Sequence, residues 1–334
     1  MTRRRKNGQG RPTIHTVAQV AGVGVGTVSR VLNNHPSVRD DTRERIMAVM
    51  ADLGYQPSPG RRPAPTDQQL IAVLMEDLYS PWESRILGGI EQVLGSEGYD
   101  IAAFPLNVPG RLERALLPSH PSRSAQGVLI CSEPMHRLWD PEEPGPPAVR
   151  LGSISTKLDY VAIDNWQGGR LAGEYAAGLP GEVVGLWLTE ERELPQRAAI
   201  RHGFTEAVEQ SGRTVRRLGL GLQDHVYRVA EQVLDQVPEQ VTIMAHADSI
   251  AVALLEVAQA RGMPVGQDLR IIGYGDHLEA ALYDLTTVHQ PLELLAERGT
   301  RMLLDRLNEQ RSGRPRREQQ WQMIEPRLAL RGSA

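Results

Sequence analysis

Four residues near the N-terminus are small or polar and have the spacing to recognise nucleic-acid bases. Their spacing of i, i+3, i+4 and i+7 places them on one face of a helix: Gly26, Ser29, Arg30 and Asn33. Short side chains let a helix approach a groove closely, and the guanidinium of Arg30 can donate two hydrogen bonds to O6 and N7 of guanine. The chemistry that this face offers is the reading of base edges in the major groove of DNA.

Neighbouring residues extend the candidate contact surface. Val25 can touch a thymine methyl group, and Thr27 can take over part of the base readout. Gly24 and Gly26 each weaken the start of the helix by about 1 kcal/mol relative to alanine and leave few side chains there to read bases. The expected DNA contacts in this segment are Thr13, Val25, Gly26, Thr27, Ser29, Arg30 and Asn33.

A first short helix is predicted to support this face. The hydroxyl of Thr13 can cap it, and Val17, Val20 and Ala21 have the spacing of one apolar side. Gly22 stands where the chain must leave the helix, a position that favours a residue tolerant of positive φ.

Two more helices are predicted to complete a three-helix head. The second carries the polar face, and the third runs from about residue 40 to 53, where Gly54 ends it. The residues predicted to face the core are Val28, Val31 and Leu32 on the second helix, and Ile46, Val49, Met50 and Leu53 on the third.

The run A-G-V-x-x-x-T-V-S-R-V-L-N, followed by V-x-x-x-T-R-x-R-I and G-Y-x-P, resembles the DNA-binding headpiece of the LacI/GalR family of bacterial transcriptional regulators. The resemblance covers residues 13–57. It implies a helix-turn-helix domain, a regulator that acts as a repressor, and a homodimer whose two heads bind a pseudo-palindromic operator in double-stranded DNA.

The charge distribution agrees with a polyanionic partner. The whole chain has a formal net charge of −4, but residues 1–66 hold 11 Lys and Arg against 4 Asp and Glu. A basic head on an acidic body suits a protein that presents one end to DNA. Residues 1–12, with Arg3 to Lys6 and Arg11, are expected to form a disordered arm that adds phosphate contacts; the alternative is a solvated tail without function.

The segment 58–69 is expected to be a hinge or linker. Four residues make it a poor helix: Pro59, Gly60, Pro63 and Pro65. The family resemblance implies a hinge helix whose leucine wedges into the minor groove, but Ala64 stands at the leucine position. We therefore expect Arg61 and Arg62 to enter a narrow minor groove as cations; a flexible linker is the alternative of equal weight.

From residue 70 the pattern changes to alternating strands and helices, which predicts α/β architecture with parallel sheets and helices on both faces. The predicted strands are 70–75, 101–104, 127–131, 148–151, 160–163, 183–188, 214–218, 241–245 and 269–273. The predicted helices are 82–94, 167–177, 196–210, 225–233 and 249–261.

The same body resembles the family's effector domain. The matching segments, in the expected order, are 80–91, 164–172, 202–204, 248–251, 271–276 and 285–291. The resemblance implies a periplasmic-binding-protein-like fold of two Rossmann-like lobes, with a small-molecule effector in the cleft between them. The N-terminal lobe would contain residues 70–162 and about 291–318, and the other lobe residues 163–290 and 319–334.

Seven residues are candidates for holding the effector: Trp82, Asp164, Gln167, Arg197, Arg201, Asp248 and Asp276. Trp82 has the position of a stacking aromatic, or of a core tryptophan. Asp248 and Asp276 end predicted strands, where open α/β sheets bind ligands, although helix-cap and turn roles are equally expected.

Three positions depart from the sugar-binding relatives. Ile200, Ala247 and Gly275 replace polar residues that would pair with sugar hydroxyls. Because an unpartnered buried polar group is costly, pockets are built around such pairs. The cleft is therefore expected to hold a ligand other than a conventionally bound sugar, or none, which would make the protein a constitutive regulator.

Other functional classes have little support in the sequence. Cys131 is the sole cysteine and is expected to be buried in a strand, and no run of 18 apolar residues or leader pattern is present, which predicts a cytoplasmic protein. The motifs G-x-x-x-x-G-K-S/T, H-E-x-x-H, C-x-x-C and G-x-S-x-G are absent, so we expect no enzyme activity, no metal and no cofactor. A soluble small-molecule sensor whose head contacts protein is the alternative from a different class.

Overall fold

The computed structural model describes residues 13–32, 38–53, 55, 69–188, 194–221, 225–313 and 318–334. The chain divides into two compact units, Met1–Gln68 and Gln69–Ala334. The expected arm at residues 1–12, Asn33, Arg61 and Arg62 lie outside the described residues. For Ser29 and Arg30 the description extends only to the helical backbone.

The head contains three helices, α1 (Ile14–Ala21), α2 (Val25–Leu32) and α3 (Asp40–Asp52). Thr13 and Thr16 cap α1 reciprocally: the Thr13 hydroxyl accepts from the backbone N–H of Thr16 at 3.3 Å, and the Thr16 hydroxyl accepts from that of Thr13 at 3.2 Å. Gly22 ends α1 at φ 66°, the left-handed region that glycine enters without strain.

One apolar cluster holds the head together, and its members are Val17, Ala18, Ala21, Val28, Val31, Val38, Ile46 and Met50. The prediction that Val20 faces the core was wrong, because its side chain is 57% exposed. At about 100° per residue, Val17, Ala18 and Ala21 form a continuous arc around α1, and Val20 lies outside that arc.

The first half of the body alternates strands and helices, as predicted. Its elements are β1 (Leu70–Met75), α4 (Pro81–Ser96), β2 (Asp100–Pro105), α5 (Arg111–Ala115), β3 (Gly127–Ile130), α6 (Glu133–Leu138), β4 (Ala148–Leu151) and β5 (Asp159–Ile163). A short 3₁₀ helix, Pro121–Ser124, precedes β3.

The second half continues the alternation. Its elements are α7 (Asn165–Ala177), β6 (Glu182–Leu188), α8 (Pro195–Gln210), β7 (Val215–Leu220), α9 (Val226–Gln236), β8 (Val241–Ala245), α10 (Asp248–Ala260), β9 (Leu269–Gly275), α11 (Leu278–Leu282), β10 (Thr286–His289), α12 (Leu292–Arg311), β11 (Trp321–Ile324) and β12 (Arg327–Ala329).

These elements form two six-stranded sheets, one in each lobe. The first has the order β11-β5-β4-β3-β1-β2 with parallel neighbours, and the second has the order β12-β10-β9-β8-β6-β7, in which β12 is antiparallel to β10. Apolar clusters cover both faces of each sheet, which explains why strands such as β1 and β8 are apolar throughout.

The chain crosses between the lobes at residue 164, at 290–291 and at 325–326. The predicted lobe boundary at 318/319 was wrong, because Trp321–Ile324 pairs with β5 and belongs to the first lobe. The sequence of a four-residue strand does not indicate which sheet edge the strand joins. Its partner is set by parallel backbone hydrogen bonds with the open edge of β5.

Candidate DNA-binding surface and interlobe cleft

The start of α2 presents exposed backbone rather than bulky side chains. The Gly24 carbonyl accepts hydrogen bonds from the backbone N–H groups of Thr27 at 2.8 Å and Val28 at 3.3 Å, which begins the helix. A Cβ atom added at Gly24 or Gly26 would meet no described atom within 4 Å. The fold of the head therefore does not require glycine at either position. The two glycines leave the backbone at the start of α2 uncovered by side chains.

The other candidate contacts of the head differ in exposure. Thr13 is exposed at the start of α1, and Thr27 is half-buried on α2. Val25 packs partly against the head core, so only part of its side chain is available to a thymine methyl group. The predicted contacts of Ser29, Arg30, Asn33, Arg61 and Arg62 stay predictions.

Trp82, the expected stacking residue, packs against the first lobe. A Cβ atom at Gly152 would lie 2.7 Å from Cζ2 of Trp82, so the indole lies directly over the backbone that follows β4. The adjacent Glu83 is buried and accepts from the backbone N–H groups of Glu76 at 2.5 Å and Asp77 at 3.0 Å. Burial raises the pKa of Glu83 to about 7, against the effect of these hydrogen bonds.

Asp164 begins the second lobe as the cap of α7. Its Oδ1 accepts from the backbone N–H of Gln167 at 2.9 Å, which satisfies one of the free donors at the helix start. Asp164 and Gln167, two of the predicted effector residues, are thus neighbours at the first interlobe crossing.

Asp248 is fully buried and holds three elements together. Its Oδ1 accepts from the Thr287 hydroxyl at 2.6 Å, and its Oδ2 accepts from the backbone N–H of His277 at 2.8 Å. Burial raises the pKa of this carboxyl group, although both hydrogen bonds act in the opposite direction. The carboxylate of Asp248 is engaged by the protein itself.

Asp276 is engaged in the same way. Its Oδ1 lies 2.7 Å from Nη2 of Arg331, and its Oδ2 lies 2.8 Å from Nδ1 of His289. Burial opposes ionisation of Asp276, but the hydrogen bonds from Arg331 and His289 outweigh it, so that its pKa is lowered. Two of the three carboxylates predicted to hold an effector, Asp248 and Asp276, are thus held by other parts of the second lobe.

Two of the three unusual positions, Gly275 and Ile200, have structural explanations, and Ala247 has none. Gly275 has φ 132°, and a Cβ atom there would lie 2.8 Å from Nε2 of His277, so the His277 ring fills the space of a side chain. Ile200 is buried in an apolar cluster with Phe204. Ala247 caps α10 without a side-chain hydrogen bond.

Arg197 and Arg201 lie on α8, one turn apart, and both are half-buried. Burial lowers the pKa of His246 to about 4, and the positive charge of Arg197 adds to this shift. His246 is therefore neutral at pH 7, and the effector contacts expected of Arg197 and Arg201 stay predictions.

Arg85 is a functional candidate that the sequence did not reveal. From α4 of the first lobe it donates to the backbone carbonyls of Gly275 and Asp276 in the second lobe, each at 3.3 Å, and to that of Gln290 at 3.2 Å. It also forms a bidentate ion pair with Glu293, at 2.7 and 2.8 Å. This one guanidinium joins the two lobes beside their second crossing.

Asn165 joins the crossings to each other. Its Oδ1 accepts from the Tyr274 hydroxyl at 2.9 Å and from Nε2 of Gln290 at 3.0 Å. Burial raises the pKa of Tyr274, so the hydroxyl stays protonated and remains a donor. A Cβ atom at Gly168 would lie 2.3 Å from that hydroxyl oxygen and 3.2 Å from Pro326, so that the third crossing packs here too.

A three-helix head and a body of two mainly parallel sheets joined at three crossings define a DNA-binding regulator with a hinged ligand-binding domain. Residues 13–58 match the model of the bacterial regulatory proteins of the lacI family, and residues 182–334 match that of the periplasmic binding protein-like domain. The chain belongs to the lacI family, as the sequence predicted, and it is a transcriptional regulator rather than an enzyme.

Curated relatives and a solved structure support the same assignment. The transcriptional repressor PurR of Erwinia tasmaniensis is 30% identical over 90% of this chain and 91% of its own length. The regulator CelR of Thermobifida fusca is 28% identical, with 89% of this chain and 92% of CelR covered. The structure of a CelR–cellobiose complex has a TM-score of 0.67 and 26% identity, covering 97% of this chain and all of that one.

Among the described residues, no helix combines the length and the apolar character needed to span a bilayer.

The contacts of Arg85 predict that Arg85→Met destabilises the body. The substitution removes hydrogen bonds from a charged group to part-buried carbonyls, which should lower the free energy of unfolding by about 1.5–3 kcal/mol. Urea unfolding followed by tryptophan fluorescence measures the effect, because all five tryptophans lie in the body.

Arg301→Met is the matched control, since Arg301 pairs with Glu297 on the exposed side of α12 and should contribute less than about 0.5 kcal/mol. Equal midpoints and slopes for the two variants would contradict the interlobe role of Arg85.

Proposed function

We propose that this regulator is a cytoplasmic repressor that binds a pseudo-palindromic operator as a homodimer and responds to a small-molecule effector. The observation that carries the proposal is the open start of α2, where Gly24 and Gly26 expose backbone above a complete three-helix core. A helix of this kind can approach base edges more closely than one with larger side chains.

The proposed DNA contacts are those expected from the sequence. Arg30 reads guanine, Thr27, Ser29 and Asn33 lie along the base edges, and Val25 adds an apolar contact. Thr13, at the exposed start of α1, contacts the backbone, where helix N–H groups favour phosphate. Arg61 and Arg62 supply cations to the minor groove.

An exposed apolar surface on the second lobe supports the homodimer. Leu278 and Leu282 on α11 are 77% and 74% exposed, and Tyr283 and Tyr227 lie beside them and share Glu256 as a hydrogen-bond acceptor. Large apolar side chains exposed side by side are typical of interaction surfaces, so a second copy is the proposed cover. Two heads then match the two halves of one operator.

Effector control is proposed to act through closure of the lobes. The crossings and Arg85 give the body a hinge, and a ligand that favours one lobe angle shifts the population toward it. The angle in turn changes the spacing of the two heads in the dimer. The engaged carboxylates of Asp248 and Asp276 favour the second candidate, a constitutive repressor with an unused cleft, over a conventional sugar regulator.

Operator selection tests the proposal. Sequences bound by the full chain are selected from a random duplex pool, and affinity is then measured for the selected duplex and for one with a scrambled half-site. We expect the scrambled duplex to bind more weakly by several kcal/mol, because each mismatched base pair costs about 1–3 kcal/mol. The affinity should also fall steeply with salt, since phosphate contacts release counterions.

Equal affinity for both duplexes would overturn the proposal. The alternative function is a small-molecule sensor whose head contacts protein. It predicts no preference among duplexes and a shallow dependence of DNA affinity on salt.

Gly26→Ala separates the stability of the head from DNA binding. The added methyl group meets no described atom, and alanine favours a helix by about 1 kcal/mol, so the head should be as stable as before or more stable. Operator affinity should fall about tenfold or more, because ~1.4 kcal/mol of lost contact is sufficient. Fluorescence anisotropy measures the binding and circular dichroism the stability.

Gly88→Ala on α4 is the matched control, because a Cβ atom there also meets nothing within 4 Å. Unchanged operator binding by Gly26→Ala would show that α2 does not approach the bases at this residue.

A further inference from the structure

A cavity of about 520 Å³ opens in the first lobe, where β1 and β2 end. Its size lies within the range of small-molecule sites, and the carboxyl ends of parallel strands are where open α/β sheets hold ligands. Its lining combines an apolar surface that includes Phe104 and Leu106 with the side chains of Arg111 and Arg114. Every residue that lines it belongs to the first lobe.

The two arginines give the cavity a positive character. Arg111 donates to the Pro105 carbonyl at 3.2 Å, which holds its guanidinium at the end of β2. In the described part of the chain, neither arginine has a carboxylate within ion-pair distance. The acidic residue of the lining, Asp77, is already engaged, since its Oδ1 accepts from the backbone N–H groups of Tyr79 at 2.7 Å and Ser80 at 2.6 Å.

His120 supplies a neutral donor beside the arginines. Its ring meets Phe104 edge-on at 4.8 Å, and its Nδ1 accepts from the backbone N–H of Ser122 at 3.3 Å. The ring proton is therefore on Nε2. Burial lowers the pKa of His120, and the positive charges of Arg114 and Arg123 lower it further. The imidazole is therefore a neutral hydrogen-bond donor.

The second lobe offers a different chemistry. Asp248 and Asp276 are held by internal hydrogen bonds, and His277 fills the space beside Gly275. The groups that would hold hydroxyls of a neutral sugar are thus engaged or missing, whereas the first lobe keeps two cations at an open cavity. Arginine binds carboxylate and phosphate through paired, charge-assisted N–H groups, which match a planar anion better than a neutral ligand.

We propose that the effector is a small organic anion, with its carboxylate or phosphate group held by Arg111 and Arg114 and an apolar body packed against Phe104 and Leu106. This inference rests on the proposed effector control of the regulator. A cavity of this volume accommodates a small molecule and excludes a folded partner or a duplex.

Isothermal titration calorimetry on the full chain tests the ligand class with three probes that share a phenyl ring: phenyl phosphate, benzoate and neutral benzyl alcohol. We expect at least one anion to bind with a dissociation constant of about 1 mM or tighter, as a ligand of this size allows, and benzyl alcohol not to bind. The difference between phenyl phosphate and benzoate identifies the preferred anionic group.

Arg114→Gln should weaken the anion at least tenfold. Arg228→Gln, which removes an exposed arginine of α9, is the matched control and should leave the affinity unchanged. Equal anion affinity in Arg114→Gln and wild type, equal binding of benzyl alcohol, or no binding of either anion would each overturn the assignment of the cavity.

Operator affinity of the same preparation is measured with and without the bound anion. A shift in operator affinity that disappears in Arg114→Gln supports the effector role, and an anion that binds without any shift overturns that role. If wild-type protein binds no operator either with or without the anion, the proposed function itself is contradicted. The failure of the effector role and the failure of the proposed function are therefore distinguishable.

Discussion

The amide oxygen of Asn165 accepts two hydrogen bonds, one from each of two other segments of the body, and the geometry of the two lobes depends on this pair. The Tyr274 hydroxyl comes from the end of β9, and the Gln290 amide comes from the second crossing. Gly168 makes room for Tyr274 and Pro326, which adds the third crossing to the same cluster. Four segments of the chain are thus fixed at one buried point, where an unmade hydrogen bond is costly.

The distribution of polar partners follows from that arrangement. In the second lobe, the side chains at the ends of β9 and β10 hold each other and the C-terminal segment, through Asp276, His289 and Arg331. Arg85 then joins the first lobe to the backbone of Gly275 and Asp276. Groups that define the hinge are engaged within the protein, and we propose the open cations of the first lobe as the anchoring chemistry for an effector.

The sequence predicted most of the repeating architecture and little of this network. Strands such as β1 and helices such as α10 show their periodicity within a few residues, so local patterns identified them. The short strands β10, β11 and β12 were not assigned, because three or four apolar or mixed residues do not distinguish a strand from a loop. The helix α12 was not assigned either.

The side-chain partners lay beyond the reach of local patterns. Asp248 and Asp276 were correctly placed at the ends of strands, yet their partners Thr287 and Arg331 are 39 and 55 residues away. Arg85 bonds to residues between 190 and 208 positions away, so nothing near it in the sequence marked its role. The contacts of α2 with DNA, by contrast, were expected from residue types at fixed helical spacing, and these remain predictions.

A distance measurement between the lobes tests the central claim, that the Asn165 cluster fixes the angle between them. Spin labels are placed on exposed positions of the two lobes by Glu97→Cys and Gln259→Cys in a Cys131→Ser background, and labelled protein is diluted with unlabelled protein. Double electron–electron resonance should give one narrow distance distribution in this protein, and a broad or shifted one when Gln290→Ala removes a donor to Asn165. An equally narrow distribution at the same distance in the Gln290→Ala protein would contradict the account.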